Sequence, residues 1–541
     1  MNNAVYLFEN PANEPVKQFA KGSVERELLE KELKRQESQV LDIPLIIGGK
    51  EIRTGKTTPI VKPHDHKHVL ANFHMTTKKE VHMAIEAAME AKKEWEKMSW
   101  VDRALITLKV ADLMATKYRY ELLAATMLGQ SKTCHQAEID ATCETIDFLK
   151  FNAHFAANIY SEQPKSVTGQ VNRLEYRPLE GFVFAVTPFN FTSIACNLNL
   201  APVLMGNTTV WKPATTAVLS NYVLMKIFKE AGVPDGVVNF VPGSGPLISD
   251  IVLKHKDLGG IHFTGSNRTF NHLWQEVGNN LSAYKSYPRI VGETGGKDFI
   301  FAHNSADTMQ LAAAIVMGSF EFQGQKCSAS SRSYIPESIW EEVKGHVLEK
   351  VGRIKQGDAN DFSNFMTAVI DEKSFDKLMK YIDIAKNDKS CTIITGGNGD
   401  KSKGYFVEPT IIVTTDPQFV TMQEELFGPV MTVYVYKDEE YEKTLELCDQ
   451  TSPYALTGAI WGKDRYAVNL ATEMLTHAAG NFYINDKPTG AVVGLQPFGG
   501  ARASGTNDKA GGPFNLVRWT SPRTIKETFN APTDFVYEYM K

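Results

Sequence analysis

The stretch from residue 181 to residue 263 decides the fold. It runs Gly181-Phe182-Val183-Phe184-Ala185-Val186, then Thr208-Thr209-Val210-Trp211-Lys212, Val237-Val238-Asn239-Phe240-Val241 and Gly260-Ile261-His262-Phe263. Each is a strand-length apolar run, and residues 220–231 and 269–282 have helical spacing. Such alternation is the pattern of a parallel sheet with crossover helices. It restarts after about Tyr287, with strands expected at 298–301, 331–335, 391–395 and 432–436. Two α/β lobes are therefore expected, the chain crossing between them near 290 and again near 480. Upstream, 24–39 predicts a charged surface helix on Leu28, Leu29 and Leu33. Residues 79–95 predict another, with Val81, Ala84, Ile85, Ala88 and Ala91 at three- and four-residue steps. Two more are expected over 102–118 and 138–156.

The chain has 541 residues, enough for two or three domains. Hydrophobic residues make up 43% and charged residues 22%, a globular balance that excludes a disordered chain. A net charge of −5 offers no basic surface, so neither nucleic acid nor a membrane is expected as a partner. No apolar run approaches the ~20 residues of a bilayer span. The start, Met1-Asn2-Asn3-Ala4, lacks a signal sequence, and Glu9 and Glu14 come too early for a transit peptide. The expected compartment is the cytoplasm, or the mitochondrial matrix in a eukaryote. Cys134, Cys143, Cys196, Cys327, Cys391 and Cys448 are too sparse for a disulfide scaffold, and none forms a C-x-x-C pair. His64, His66 and His68 alternate as on one face of an extended segment. With no Cys or carboxylate at ligand spacing they read as a solvated loop, and no metal is expected.

Phe322-Gln323-Gly324-Gln325-Lys326-Cys327-Ser328-Ala329 follows a helix expected over 309–320. A lone cysteine is most often a buried structural residue. These neighbours are too polar for a core, which favours a reachable thiol whose pKa local donors can lower. Gly292-Glu293-Thr294-Gly295-Gly296-Lys297 reads as a surface turn, or as a carboxylate left free to swing. A general base that acts in one step and stands aside in another needs that freedom. Thr187-Pro188-Phe189-Asn190-Phe191 follows the first strand, and Asn190 is a turn residue or an amide donor for a developing oxyanion. Trp211-Lys212-Pro213-Ala214-Thr215 and Phe263-Thr264-Gly265-Ser266 both leave strands and enter helices, where a parallel sheet binds ligands. Ser266 can cap the next helix or seat a pyrophosphate at its N-terminus. No G-x-G-x-x-G follows a strand, so the usual dinucleotide fingerprint is absent.

With the E-E-x-F-G-P run at 424–429 and the P-F-G-G run at 497–500, these segments resemble the motifs of the aldehyde dehydrogenase superfamily, in order, over essentially the whole chain. Cys327 follows Glu293 by 34 residues, as in that family's pattern. The resemblance implies a two-lobed α/β fold with a Rossmann-like NAD-binding domain at 1–160 and 178–290 and a catalytic domain at 291–480. It implies oligomerisation elements at 161–177, a small hairpin, and at 520–541, with a return segment at 481–519. Cys327 would attack the aldehyde, and the Asn190 amide and Cys327 N–H would hold the thiohemiacetal anion. Glu293 would activate the water that hydrolyses the thioester. Thr187, Lys212, Gly265, Ser266, Asn267, Arg268, Thr269, Glu425 and Phe427 would bind the cofactor. Among them Lys212 and Glu425 would take the two riboses, 265–269 the pyrophosphate, and Phe427 would pack near the nicotinamide. Many NAD-specific members carry Glu in place of Thr215, where it repels a 2′-phosphate. Thr215 supplies no such repulsion, so NAD is expected with room for some use of NADP. A homodimer is expected.

The run 483–494 (Y-I-N-D-K-P-T-G-A-V-V-G) and the following 496–508 are similar to pyrroline-5-carboxylate dehydrogenases. So are 324–329, 518–522, Ala12-Asn13-Glu14-Pro15 and Gln136-Ala137-Glu138-Ile139-Asp140. The likeness is to the long single-function form rather than the form fused to proline dehydrogenase. It implies glutamate semialdehyde as substrate, an α-amino acid head on a short aldehyde chain. Backbone N–H groups of Thr489-Gly490-Ala491, with the Ser328 hydroxyl, would hold the α-carboxylate as an anion nest. Gly490 would permit close approach, and Phe189 and Phe498 would sandwich the methylenes. Some relatives have Ser in place of Ala491, so backbone must carry recognition there. The alternative for this loop is a ligand-free turn. Another semialdehyde dehydrogenase, for succinate semialdehyde, would keep the catalytic residues and lose this loop. Glu293 argues against a CoA-acylating relative, and Cys327 with Glu293 against a non-catalytic protein. A transient contact with proline dehydrogenase is a further expectation.

Overall fold

The computed structural model describes residues 6–541; the start read at residues 1–4 lies outside them. Two seven-stranded sheets carry the two lobes. The first has the order Arg289–Glu293, Leu258–Thr264, Phe182–Val186, Thr209–Lys212, Val238–Phe240, Leu45–Ile47, Lys50–Ile52. Its first five strands are parallel and the last two antiparallel. The second has the order Cys391–Thr395, Thr410–Thr414, Val430–Tyr436, Ser330–Pro336, Asp298–Ala302, Thr457–Trp461, Asn481–Ile484. Only its Cys391–Thr395 edge pairs antiparallel. Helices cover both faces, so central strands such as Leu258–Thr264 and Asp298–Ala302 are buried along their whole length. That is why they read as continuous apolar runs.

Two boundaries move. Arg289–Glu293 pairs with Leu258–Thr264, so the chain leaves the first sheet after Glu293 rather than near 290. Asn481–Ile484 pairs with Thr457–Trp461, which carries the second sheet past 480. The helix expected over 102–118 is Trp100–Ala115, and a second helix, Arg119–Gln130, follows it. That expected over 138–156 opens as a π-helix, Glu138–Glu144, before the α-helix Thr145–Ser161. Such π-segments are frequent at functional sites.

The histidines do not form a solvated loop. The strand Asp65–His74 enters against the second lobe, where His66 N–H donates to Lys403 O at 3.0 Å. His64 is buried with Nδ1 2.9 Å from Ser131 Oγ, while His66 Nε2 meets Lys401 O and His68 Nε2 meets Glu37 O. The hairpin expected over 161–177 turns at an antiparallel bridge between Val167 and Gln170, with Asn172 N–H donating to Ser166 Oγ at 3.0 Å. Its second arm, Gln170–Pro178, also pairs antiparallel with Thr520–Thr528, Pro178 opposite Thr520 and Gln170 opposite Thr528. The two segments expected to serve assembly thus form one ribbon. Among the described residues no helix is long and apolar enough to cross a membrane.

Candidate active site

The loop 187–191 links the strand Phe182–Val186 to the helix Thr192–Leu204. Asp140, from the π-helix, caps that helix by accepting from the Thr192 N–H at 3.1 Å and the Ser193 N–H at 2.9 Å. A negative charge is favoured there by the helix dipole. Fully buried Lys132 neutralises it, Nζ to Oδ2 2.7 Å. Gln130 Nε2 grips the loop itself, donating to Phe189 O at 2.6 Å. Asn190 is buried, and its Nδ2 donates to Gln325 O at 3.1 Å. An amide nitrogen carries two hydrogens, so one is left for another acceptor.

The loop that leads to Cys327 is strained. Phe322 and Gln323 take φ of 52° and 55°, followed by Gly324 at 65°. Non-glycine residues in this region cost about 1–3 kcal/mol each and persist only where surroundings hold them. A side chain at 324 is excluded, since a Cβ would fall 2.4 Å from Gly428 O. Gln323, fully buried, does the holding. The two hydrogens of its Nε2 are shared among Ser131 O (3.0 Å), Thr367 Oγ1 (2.9 Å) and Ala368 O (2.9 Å), and its Oε1 accepts from Thr367 N–H at 2.9 Å. Gln325 Oε1 accepts from Ile370 N–H at 2.9 Å. Cys327 emerges from this loop half-buried.

Around the thiol the field is negative. Burial first, then the carboxylates of Asp298, Glu293, Glu425 and Glu144, hold the Cys327 pKa well above its ordinary value. This reverses the expectation that local donors lower it. Glu293 ends its strand, and its carboxylate is also raised well above the ordinary range by burial, Asp508 adding to the effect and Lys509 opposing it. Its Oε2 has no partner among the described residues. A Cβ at Gly499 would come within 2.9 Å of Oε1, so glycine leaves the room expected for movement. Lys509 is occupied, its Nζ donating to Gly480 O at 2.7 Å and Gly499 O at 3.0 Å.

At the carboxyl ends of the first sheet, Lys212 and the 265–269 turn flank Phe182–Val186 from either side. The Lys212 ammonium has no acidic partner among the described residues, and burial pushes it down to about 8. Ser266 caps the helix Asn267–Asn279, its Oγ accepting from Thr269 N–H at 3.3 Å, and Arg268 and Thr269 lie exposed on the first turn. Asn267 Nδ2 donates to Ala503 O at 2.8 Å, tying this turn to the return segment. Thr187 Oγ1 accepts from Trp211 Nε1 at 2.9 Å. Glu425 Oε1 accepts from Gly296 N–H at 3.0 Å, and burial pushes its carboxylate up to about 7. Phe427, with φ 61°, meets Phe189 edge to face at 5.8 Å. A half-buried ammonium with no acidic partner among the described residues and an open, capped helix N-terminus across one sheet edge fit a dinucleotide.

On the opposite side, Ser328 Oγ lies 2.8 Å from Thr489 Oγ1. Gly490 is exposed at φ 94°, and Ala491 follows half-buried. Phe498 is fixed by paired 2.8 Å bonds to Ala510. Sequence reasoning missed Glu144, pushed up to about 8 by burial and then by Asp140, whose Oε2 accepts from Ser193 Oγ at 2.9 Å. It also missed Gln323, Lys132 and Lys509. A lone polar residue in a helix or loop carries no spacing signature.

Residues 51–525 match the aldehyde dehydrogenase family, and the chain belongs to that family. It is 52% identical to the mitochondrial delta-1-pyrroline-5-carboxylate dehydrogenase of Dictyostelium discoideum over 533 residues, 98% of this chain and 96% of that one. The crystal structure of delta-pyrroline-5-carboxylate dehydrogenase from Mycobacterium tuberculosis bound with NAD matches with a TM-score of 0.96 at 50% identity, covering 100% of both chains. Proline utilization A from Bdellovibrio bacteriovorus, inactivated by N-propargylglycine, matches with a TM-score of 0.91 at 29% identity, covering 97% of this chain and 54% of that one.

Proposed function

We infer that this protein oxidises L-glutamate 5-semialdehyde, the open form of 1-pyrroline-5-carboxylate, to L-glutamate with NAD, the second step of proline catabolism. The Ser328–Thr489 contact carries the reading, because it sets the loop 489–491 beside the residue that follows the nucleophile. That loop meets the head of whatever aldehyde Cys327 attacks. The amides of Gly490 and Ala491, with the Ser328 hydroxyl, are assigned to the α-carboxylate. Glu144 is assigned to the α-ammonium, whose positive charge draws a carboxyl that burial holds up to about 8 back to the carboxylate. Phe189 and Phe498 take the methylenes between.

Cys327 Sγ attacks the aldehyde carbon, and the resulting alkoxide receives the second Asn190 N–H and the Cys327 N–H. NAD, when bound, supplies the hydride acceptor. Lys212 and Glu425 are assigned to its riboses, Gly265, Ser266, Asn267, Arg268 and Thr269 to its pyrophosphate, and Thr187 and Phe427 to the nicotinamide end. Glu293 takes the proton of the water that attacks the thioester, which releases glutamate and the free thiol.

The ribbon of Gln170–Pro178 and Thr520–Thr528 is assigned to a homodimer contact. A two-stranded ribbon is marginal alone, and Phe529, Phe535, Tyr537 and Tyr539 beyond it are exposed. A transient contact with proline dehydrogenase is proposed as well. The compartment is proposed as the cytoplasm, or the mitochondrial matrix in a eukaryote. NADH production with pyrroline-5-carboxylate, succinate semialdehyde and propanal tests the substrate. The largest kcat/KM is expected for the first, and a larger value for succinate semialdehyde rejects the assignment.

A further inference from the structure

The chain from residue 6 to residue 20 has no regular secondary structure, yet its residues are tied down in succession. Asn13 Nδ2 gives one hydrogen to Asp147 Oδ2 at 2.8 Å and the other to Val493 O at 2.9 Å. Glu14 N–H donates to Asp147 Oδ1 at 2.7 Å, and the Glu14 carboxylate takes Arg119 Nη1 and Lys150 Nζ, each at 2.9 Å. Lys17 N–H donates to Glu138 Oε1 at 3.0 Å.

Besides Arg119 at the start of the helix Arg119–Gln130, these bonds lead to two places. One is the π-helix and the helix Thr145–Ser161 that continues it, which together carry Glu144, Asp147, Phe148 and Phe151. The other is the outer end of the loop that begins at Thr489. Val493 packs in a small apolar cluster with Phe148 and Phe151. Gly494, at φ +81°, sits so close that a Cβ would fall 2.1 Å from the Phe151 ring. The loop is therefore seated on the helix by apolar contact, and Asn13 bridges the two by hydrogen bonds.

We propose that Asn13 is a positioning residue for amino-acid specificity. By bridging Asp147 and Val493 O it sets the distance between the helix that carries Glu144 and the loop 489–491. Those are the groups that meet the substrate's α-ammonium and α-carboxylate, so the proposal rests on that reading of the loop. The side chain suits the task. It must donate twice from one nitrogen, to a carboxylate and to a carbonyl. Serine donates once, aspartate presents acceptors to both, and glutamine is longer by a methylene. Cys327, Glu293 and the cofactor-facing residues lie on other segments, so the bridge acts on the substrate head alone.

The test uses Asn13→Ala, Asn13→Ser and Asn13→Asp in the full-length enzyme. The readouts are KM for pyrroline-5-carboxylate and for propanal, the Ki of L-glutamate against propanal oxidation, and the NAD dissociation constant. Asn13→Ala should raise the pyrroline-5-carboxylate KM and the glutamate Ki about tenfold, or about 1.4 kcal/mol. Asn13→Ser should fall between wild type and Ala, and Asn13→Asp beyond Ala. The propanal constants and NAD affinity should stay within about twofold of wild type. An unchanged glutamate Ki, or equal losses with propanal, overturns the proposal. A wild-type enzyme that prefers propanal to pyrroline-5-carboxylate would instead sink the reading of the loop, and the proposal with it.

Discussion

Replacing Gln323 by alanine should disable the nucleophile without touching it. The Gln323 side chain has three hydrogen bonds to lose, two from the Nε2 hydrogens shared among three acceptors and one at Oε1, about 1 kcal/mol each, or about 3 kcal/mol together. The left-handed backbone of Phe322 and Gln323 costs about 2–6 kcal/mol for the pair. Contacts and strain are of similar size, so removing the contacts leaves the strain unopposed. Ser131 O keeps the Thr367 hydroxyl as a donor, but the Thr367 N–H and Ala368 O each lose the Gln323 partner. Unsatisfied buried groups cost about 1–3 kcal/mol each, which is a further push to rearrange. The loop should relax, and a shift of about 1 Å at a reacting atom can cost about a hundredfold in rate. At saturating substrate and NAD, kcat of Gln323→Ala should therefore fall about a hundredfold. NAD affinity should hold, and the rate of Cys327 alkylation by iodoacetamide, read by intact mass, should change. Gln323→Gly relieves the strain at that residue as well. It should be more stable than the alanine variant and no more active. A folded Gln323→Ala enzyme with kcat within about threefold of wild type would refute the reasoning.

Glu293→Gln should release one burst of NADH per active site and then turn over at least about a hundredfold more slowly, with a stable acyl adduct on Cys327 visible by mass. A steady rate equal to wild type would reject Glu293 as the deacylating base. The pH dependence has a definite sign. Both Cys327 and Glu293 have folded pKa values raised by burial, and both act when deprotonated, so kcat/KM should climb as pH rises through and above neutrality. A profile that falls between pH 7 and 9 in a stable enzyme would contradict the field described here, with pH set against the ordinary values of about 8.5 for a thiol and 4.3 for a glutamate.

The strands that were legible in sequence are those covered on both sides. Leu258–Thr264 and Asp298–Ala302 are wholly buried, and an unbroken apolar run is their signature. Arg289–Glu293 escaped because it opens on an exposed arginine and closes on glycine and glutamate. Asn481–Ile484 escaped because it is an edge strand whose last residue is exposed. The segment 6–20 has no periodicity to read. Its conformation is set by partners such as Asp147, 133 positions from Glu14, and no local propensity encodes such a bond.

The site was legible as an ordered set of motifs, and its electrostatics were not. The polar residues flanking Cys327 suggested a lowered pKa. The opposite sign comes from burial and from carboxylates that arrive on separate segments, at 144, 293, 298 and 425. The geometry has the same origin. Gln323 is held by Ser131 of the first lobe and by Thr367 and Ala368 of the second. Asn190, from the first lobe, bonds Gln325 on the second. Asn190 and the loop that leads to Cys327 are therefore placed by bonds that cross between lobes. Docking the two sheets is what assembles the site, so a change at the lobe junction should reach Cys327 and Asn190 together, whichever lobe carries it.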